Sequence, residues 1–268
     1  FAARFPGERE GIAAYLKLVD QVRIELLRVG EADGLLDTLT LPFRTLHMGR
    51  YGLYSLQRIL EDRVRDPEAR ALLAVQCGDH GLPPSRVPFA LHAAVVGHYL
   101  DGGGYPLGGG SALAKGFVRE LERAGGSLHL ETRVERLLVE GRRVLGVRLH
   151  DGRELRARNV VSNADPVATY SKLLGAEHLP RGLKKKVAAT QMSTSSLGLY
   201  LAVDMDVRAF GLDSGNLWLC RTLDAEATYQ RIASPEVVND PECKGLFLTC
   251  TTLKDPTSFD GRHHVLEA

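Results

Sequence analysis

Residues 102–116, GGGYPLGGGSALAKG, combine a dense cluster of glycines with one lysine, the ingredients of a phosphate-binding loop. A nucleoside-triphosphate loop needs G-x-x-x-x-G-K-[ST], so that backbone amides cradle phosphates and the lysine reaches them. Lys115 here is preceded by Ala114 and followed by Gly116, so that reading fails. The dinucleotide fingerprint G-x-G-x-x-G can be started at Gly108 and Gly110. Its third small position then falls on Leu113, too large for close helix–strand packing, although Glu131 supplies an acidic residue about twenty positions on. Glycines also let a backbone pass close to a flat group, and that reading fits the spacing equally well.

Other candidate chemistry is sparser. The nine histidines form no metal constellation. His263 and His264 are neighbours, which on a strand point to opposite faces. His92 and His98 fall about 120° apart around a helix, and a structural or surface role is the simpler reading for each. The four cysteines, Cys77, Cys220, Cys243 and Cys250, contain no C-x-x-C pair, so neither a zinc ribbon nor a redox motif is signalled. No Ser/His/Asp or Cys/His set is visible along the chain. Lys184, Lys185 and Lys186, with Arg181, form either a solvated helix face or a contact for anionic lipid headgroups.

The whole chain bounds these readings. It has 268 residues, 44% hydrophobic and 25% charged, with a net charge of +1. That is ordinary for a globular protein with a sizeable core and gives no reason to expect nucleic acid. No apolar run reaches the ~18 residues of a membrane span. The chain opens on Phe rather than Met and carries no signal peptide, so the native N-terminus, with any targeting segment, is expected upstream.

The elements that must position the candidates read as follows. Ile12, Leu16, Val19 and Val22 recur at helical spacing and predict one amphipathic helix ending near Gly30. Residues 35–50 are less regular and interrupted by Pro42. A second helix is expected over Leu53–Arg65, and Asp66-Pro67-Glu68 starts a third running to about Gln76. The tract FALHAAVVGHYL is a further helix, and 78–88 a loop. Ala114–Ala124 is a helix ended by Gly125-Gly126. A short strand, Ser127–Leu130, follows. Val134–Glu140, Arg142–His150 and Arg153–Ala157 alternate, separated by hairpin turns at Gly141 and Gly152. A last strand, Asn159–Ser162, runs into the cap Asp165-Pro166 of a helix to Leu173. Arg181–Ala189 is a basic helix. Ser195–Val203, Asn216–Thr222 and Gly245–Thr252 read as strands, with capped turns at Ser234, Asp240 and Asp255.

The segments HYLDGGGYPLGGGSALAKGFVRELERAGG and ETRVERLLVEGRRVLGVRLHDGRELRARNVVSNADPVATYSKLLG together resemble the phytoene desaturase-like flavoproteins. These include carotenoid desaturases, carotenoid isomerases and retinol saturases. The set Y-P-x-G-G, helix, G-G, V-x-x-[IL], G-V, D-G, V-V-S-N-A carries the likeness. His98-Tyr99-Leu100 and Lys254-Asp255-Pro256-Thr257 are similar to the retinol saturase branch, and RFPGEREGI resembles the start of the family's helical substrate region.

The resemblance implies an α/β chain with an α+β substrate region, in the FAD/NAD(P)-binding flavoprotein fold of the amine oxidase and phytoene desaturase type. It implies a chain that lacks the family's N-terminal βαβ unit and C-terminal flavin segment, hence an internal fragment, itself expected to be inactive. Residues 1–100 are expected to form the helical part of the substrate region. Residues 101–176 would be the middle of the FAD-binding domain, and 177–268 a substrate domain of antiparallel strands. Val134 matches a residue whose backbone meets the adenine, and Ser162, Asn163 and Ala164 match a strand end beside the same nucleotide. Tyr105, Pro106, Gly109 and Gly110 match the turn beside the isoalloxazine and the substrate tunnel, with Val87–Val96 expected to line that tunnel.

The implied activity is an FAD-dependent oxidoreductase of CH–CH bonds, transferring hydride between flavin and an apolar polyene, a carotenoid or retinoid. The alternatives are a carotenoid isomerase, another flavin oxidase of the same fold, or a non-catalytic derivative that binds lipid or a partner. Tyr105, Tyr99 and His98 are the candidate proton donors, by position alone. NAD(P) is carried as a candidate electron donor, and no metal is expected. An apolar substrate implies a cytoplasmic or peripherally membrane-associated protein loaded from a membrane surface.

Overall fold

The computed structural model describes residues 1, 3–192 and 194–268; Ala2 and Ser193, within the expected domain ranges 1–100 and 177–268, lie outside the described residues. The chain divides into two compact units, Phe1–Leu113 with Thr194–Ala268, and Ala114–Ser193.

The first unit opens on α1, Arg9–Glu31. It buries one stripe, Ile12, Tyr15, Leu18, Val19 and Val22; of the residues whose spacing predicts the helix, Ile12, Val19 and Val22 lie on that stripe, whereas Leu16 turns off it and is 37% exposed. Residues 35–50 depart from expectation. They form two helices, α2, Leu35–Arg44, which carries Pro42 inside it, and α3, Leu46–Tyr51. The reason is tertiary. The buried carboxylate of Glu25 on α1 accepts from the Met48 amide at 2.7 Å and bonds His47 Nδ1 at 2.8 Å, so α1 supplies the cap that the local sequence lacks. Burial alone would raise the Glu25 pKa; these bonds outweigh it and hold it below its ordinary value.

The second expected helix is shorter than predicted. α4 covers Leu56–Glu61, because Ser55 caps it by accepting from the Arg58 amide. α5, Pro67–Leu73, starts where predicted, with Asp66 accepting from Ala69 N at 2.9 Å, a cap worth about 1 kcal/mol. α6, Phe89–His98, packs against α1. Val87, Phe89 and Ala93 enter one core with Tyr15, Val19 and Val22 of α1 and Leu56, Ile59 and Leu60 of α4. These residues of the Val87–Val96 tract therefore fill a protein core, and only others of the tract, such as Leu91, face outward.

Helix α7, Gly110–Arg123, begins four residues earlier than expected. It ends at Gly125, whose φ of +80° suits the left-handed turn. The second unit then holds the predicted antiparallel meander: β1, Val134–Glu140; β2, Arg143–Leu149; and β3, Glu154–Arg156. The two flanking strands expected at Ser127–Leu130 and Asn159–Ser162 do not form. A strand exists only through ladder bonds to a neighbour, and neither segment has one among the described residues. Leu130 and Val161 are consequently 73% and 94% exposed. Asp165 caps α8, Pro166–Ala168, by accepting from the Ala168 amide at 2.7 Å, and a π-helical turn continues it to Leu173. The basic helix is α9, Arg181–Ala188.

The chain returns to the first unit with β4, Tyr200–Val203; β5, Asn216–Cys220; helix α10, Ala225–Ile232; β6, Gly245–Cys250; the single turn α11, Thr251–Lys254; and β7, His264–Glu267. The sheet order is β4-β7-β6-β5, antiparallel throughout. The strand expected from Ser195 begins only at Tyr200, where β7 becomes available to pair. The expected strand end at Thr252 is instead helical. Val207, Cys250 and Leu253 form a small core beneath this sheet.

Candidate functional site

The turn Tyr105–Gly110 carries two consecutive residues of positive φ, Gly108 at +84° and Gly109 at +67°. Only glycine adopts this at low cost, so the glycines are required by the turn itself. The turn folds back on its own tyrosine: a Cβ at Gly109 would stand 3.5 Å from Tyr105 Oη.

This turn is fastened to a segment almost 150 residues away. Gly108 donates its amide to Asp255 Oδ2 at 2.7 Å. Asp255 is 1% exposed, and its other oxygen accepts from the Thr257 amide at 3.1 Å and from Thr257 Oγ1 at 2.5 Å. Led by the Thr257 hydroxyl, these bonds hold the carboxylate below its ordinary pKa against the opposing effect of burial, so it is an anion at neutral pH. The Asp255 carbonyl in turn accepts from Ser258 Oγ at 2.7 Å.

The preceding residue faces the same tyrosine. Lys254 bonds Asn216 Oδ1 on β5, and its ammonium stands 5.5 Å from the centroid of the Tyr105 ring, within cation–π range. Burial pulls the Lys254 pKa down, with Glu267 on β7 opposing it. The Tyr105 phenol is pushed up, first by burial and then by the nearby charges of Glu267 and Asp255. No hydrogen bond from Tyr105 Oη is found among the described residues, and the side chain is 38% exposed. The phenol is therefore protonated at neutral pH and held from the ring side, with no hydrogen-bond partner for its oxygen among the described residues.

Of the residues predicted from sequence, the structure thus gathers Tyr105, Pro106, Gly109 and Gly110 into one turn, with Gly110 opening α7. The rings of His98 and Tyr99 contact each other, tilted by 32° with centres 4.3 Å apart; among the described residues no hydrogen bond or ring contact joins either to Tyr105. Lys254 and Asp255 were visible only as part of a motif and a turn cap. The signal that could have exposed the anchor, a buried carboxylate facing a backbone amide, has no letter in a sequence.

The remaining candidates lie in the second unit. Val134 opens β1 opposite Leu149, and β1 packs on the π-helical turn after Asp165. Asn163 and Ala164 sit in the irregular segment leading to that cap. Ser162 Oγ bonds Thr169 Oγ1 at 2.9 Å there. Asp165 Oδ2 is buried without a partner, an orphaned acceptor that a hydroxyl or amino donor of a nucleotide would satisfy. Unladdered backbone beside an unpaired acceptor fits nucleotide binding. Two shallow depressions of about 250 and 240 Å³ are lined by none of these residues. Among the described residues no cluster of three or more His, Cys, Asp or Glu is arranged to hold a metal, and no helix is long and apolar enough to cross a membrane.

The mixed helix-and-sheet fold thus holds a glycine turn clamped to the segment that links β6 to β7. The family description "flavin containing amine oxidoreductase" matches residues 34–253, and the chain belongs to that family. This bears out the resemblance carried by the glycine turn and the meander. Curated relatives include all-trans-retinol 13,14-reductase of Danio rerio, 28% identical over 80% of this chain and 37% of the relative. The human protein of that name is 28% identical over 97% of this chain and 45% of the relative. Prolycopene isomerase 1 of an Oncidium hybrid cultivar is 26% identical over 97% and 44%. The chain spans less than half the length of these relatives. A solved structure of an oxidoreductase from Methanosarcina mazei matches with a TM-score of 0.59 over 85% of this chain and 50% of that one, at 22% identity, a likeness of fold.

Proposed function

We propose that the protein to which this chain belongs is an FAD-dependent oxidoreductase acting on a C=C or C–C unit of an apolar polyene. The observation that carries this reading is the Tyr105 turn: a protonated phenol with no hydrogen-bond partner among the described residues, its turn held by Asp255 and its ring faced by Lys254, in a member of a flavin-containing family. Bound FAD would accept or supply hydride at its ring. Saturating a double bond also requires a proton at the second carbon, and Tyr105 Oη is the group assigned to hold it. Pro106, Gly109 and Gly110 would border the flavin ring. Val134, Asn163 and Ala164 would meet the nucleotide end, where the orphaned Asp165 oxygen supports a donor-rich ligand. The helical segment 1–100 and the strands of 177–268 would serve the substrate, with 101–176 serving the cofactor. NAD(P) is the proposed source of electrons, and contact with a membrane surface the proposed route of substrate entry.

The polyene class rests on relatives whose names specify retinol and prolycopene. Because those names describe a reduction and an isomerisation, the test incubates the flavin-loaded protein separately with a retinoid and with a carotenoid and identifies the products. A saturated product assigns reduction, and a geometric isomer of unchanged mass assigns isomerisation. Failure to convert either overturns the substrate class. Tyr105→Phe is expected to lower turnover by about 10²-fold or more, the usual worth of a positioned acid; unchanged turnover removes Tyr105 as proton donor.

A further inference from the structure

Two adjacent residues at the end of α11 reach the glycine turn, and neither has a role in the reading above beyond contact. Asp255 points its carboxylate at the Gly108 amide, while Lys254 points its ammonium at the face of Tyr105. We propose that Lys254 and Asp255 are paired positioning residues, Asp255 setting the backbone of the Tyr105–Gly110 turn and Lys254 setting the plane of the Tyr105 ring. This assignment rests on the role proposed for Tyr105 and deepens it.

The geometry separates the two tasks. Between Tyr105 and Gly108 lie only Pro106, whose φ is fixed by its ring, and Leu107. Fixing the Gly108 amide therefore fixes where the tyrosine backbone can be. Asp255 is well suited to this. It is almost fully buried, it is braced by three bonds from Thr257 and Gly108, and its own backbone is held at both ends. The Asp255 amide donates to Thr251 O and its carbonyl accepts from Ser258 Oγ. Moving the carboxylate would mean moving the whole capped turn.

That turn is tied to the sheet. Thr252 Oγ1 bonds His264 Nδ1 on β7 at 2.9 Å, and Phe259 stacks on the His264 ring at 4.5 Å. The turn thus inherits the rigidity of the four-stranded sheet. A backbone anchor does not choose the rotamer of the tyrosine, however. That falls to Lys254, which is itself oriented by Asn216 of β5. A cation over one ring face favours the rotamer that presents this face, and the Tyr105 hydroxyl is then left beside Gly109, 3.5 Å from where a Cβ would stand. The charges of the pair are opposite, and so are their effects on the phenol. Burial and then the Glu267 carboxylate weigh most in pushing the phenol up, and the Asp255 carboxylate adds to them; the ammonium, 5.5 Å from the ring centre, acts against them by its charge.

The test uses the full-length, flavin-loaded protein and three readouts. Hydrogen exchange reports the 105–112 segment. Tyrosinate absorbance, taken as a difference against Tyr105→Phe, titrates Tyr105. Steady-state kinetics use all-trans-retinol as probe. In Asp255→Asn, exchange at 105–112 is expected to rise about tenfold or more as Gly108 loses its charged acceptor, and the Tyr105 titration to move to lower pH. In Lys254→Met, exchange stays at the wild-type level and the titration moves to higher pH; Lys254→Arg restores it. Both charge-removing variants are expected to lose kcat with KM little changed.

If Asp255→Asn does not fold, Thr257→Val removes one brace and is expected to raise exchange at 105–112 more modestly. Wild-type exchange in both Asp255→Asn and Thr257→Val, or titration shifts of the same sign in the two charge variants, overturns the positioning pair. A wild-type protein that converts no retinol, while the exchange and titration effects appear as stated, overturns the proposed reaction and leaves the pair standing.

Discussion

His92 lies at the centre of the helical core, fully buried on α6, with its Nε2 2.7 Å from Tyr15 Oη and its Nδ1 3.3 Å from His80. Burial, and then the neighbouring His80, depress its pKa to about 3, and burial also lowers that of His80. A neutral imidazole in the fold must be compared with one that titrates near 6.5 when unfolded. Below that value the unfolded chain binds the proton and the folded chain does not. The stabilisation is therefore complete above about pH 7 and shrinks as pH falls toward the folded value, by about 2 kcal/mol for His92 between pH 7 and 5. Asp79, raised mainly by burial, works in the opposite sense, and chiefly at the acid end where carboxylates titrate. Denaturant midpoints measured from pH 7.5 to 5 are expected to fall for the wild type and to fall less for His92→Gln. Parallel curves would show that this imidazole does not set the slope. A histidine on a helix face looks the same in a sequence whether it is solvated or, as here, locked to a tyrosine 77 residues away.

Elements defined by local chemistry were legible in the sequence, and those defined by a distant partner were not. The caps at Asp66 and Asp165, the turns at Gly141 and Gly152 and the α1 helix depend on residues within a few positions of one another, and each stands where the sequence places it; which face of α1 is buried was less legible, since Leu16 is exposed and Tyr15 and Leu18 are buried. The α3 helix is invisible locally because its cap is Glu25, more than twenty residues upstream. The order β4-β7-β6-β5 places the last strand between two earlier ones, which alternation alone cannot specify. The candidate site divides in the same way: the Tyr105 turn and the Lys254–Thr257 segment were both recognisable, but the bond joining them was not. The two segments that read as buried strands, 127–130 and 159–162, show what propensity cannot do without a ladder. Their amides are expected to exchange about 10²-fold or more faster than those of β1 and β2. Protection equal to that of the meander would mean that partners for these segments form in solution.

At the scale of the whole molecule, the two units are unequally built. The clustered cores around Tyr15, Phe5 and Val207 all belong to the first unit. In the second, Leu138, Leu149 and Val187 are the hydrophobic side chains found buried among the described residues, while Phe117, Leu130 and Val161 are each more than 70% exposed. Each fully buried aliphatic side chain contributes about 1.5–3 kcal/mol, so the second unit draws less stabilisation from a buried core than the first. The second unit should therefore open more readily than the first, with its earliest protease cuts in 124–133 and 158–164. Proposed nucleotide contacts at Val134, Asn163 and Ala164 place a stabilising ligand where the protein interior is thinnest. A ligand at about a hundred times its Kd adds about 2.7 kcal/mol to the form that binds it. In the full-length protein, added FAD is accordingly expected to slow cleavage within 114–192 by about tenfold or more; riboflavin, which lacks the adenine half, should protect that region far less. Equal protection by riboflavin would move the binding energy away from Val134, Asn163 and Ala164. No protection by either would remove these residues from the cofactor site.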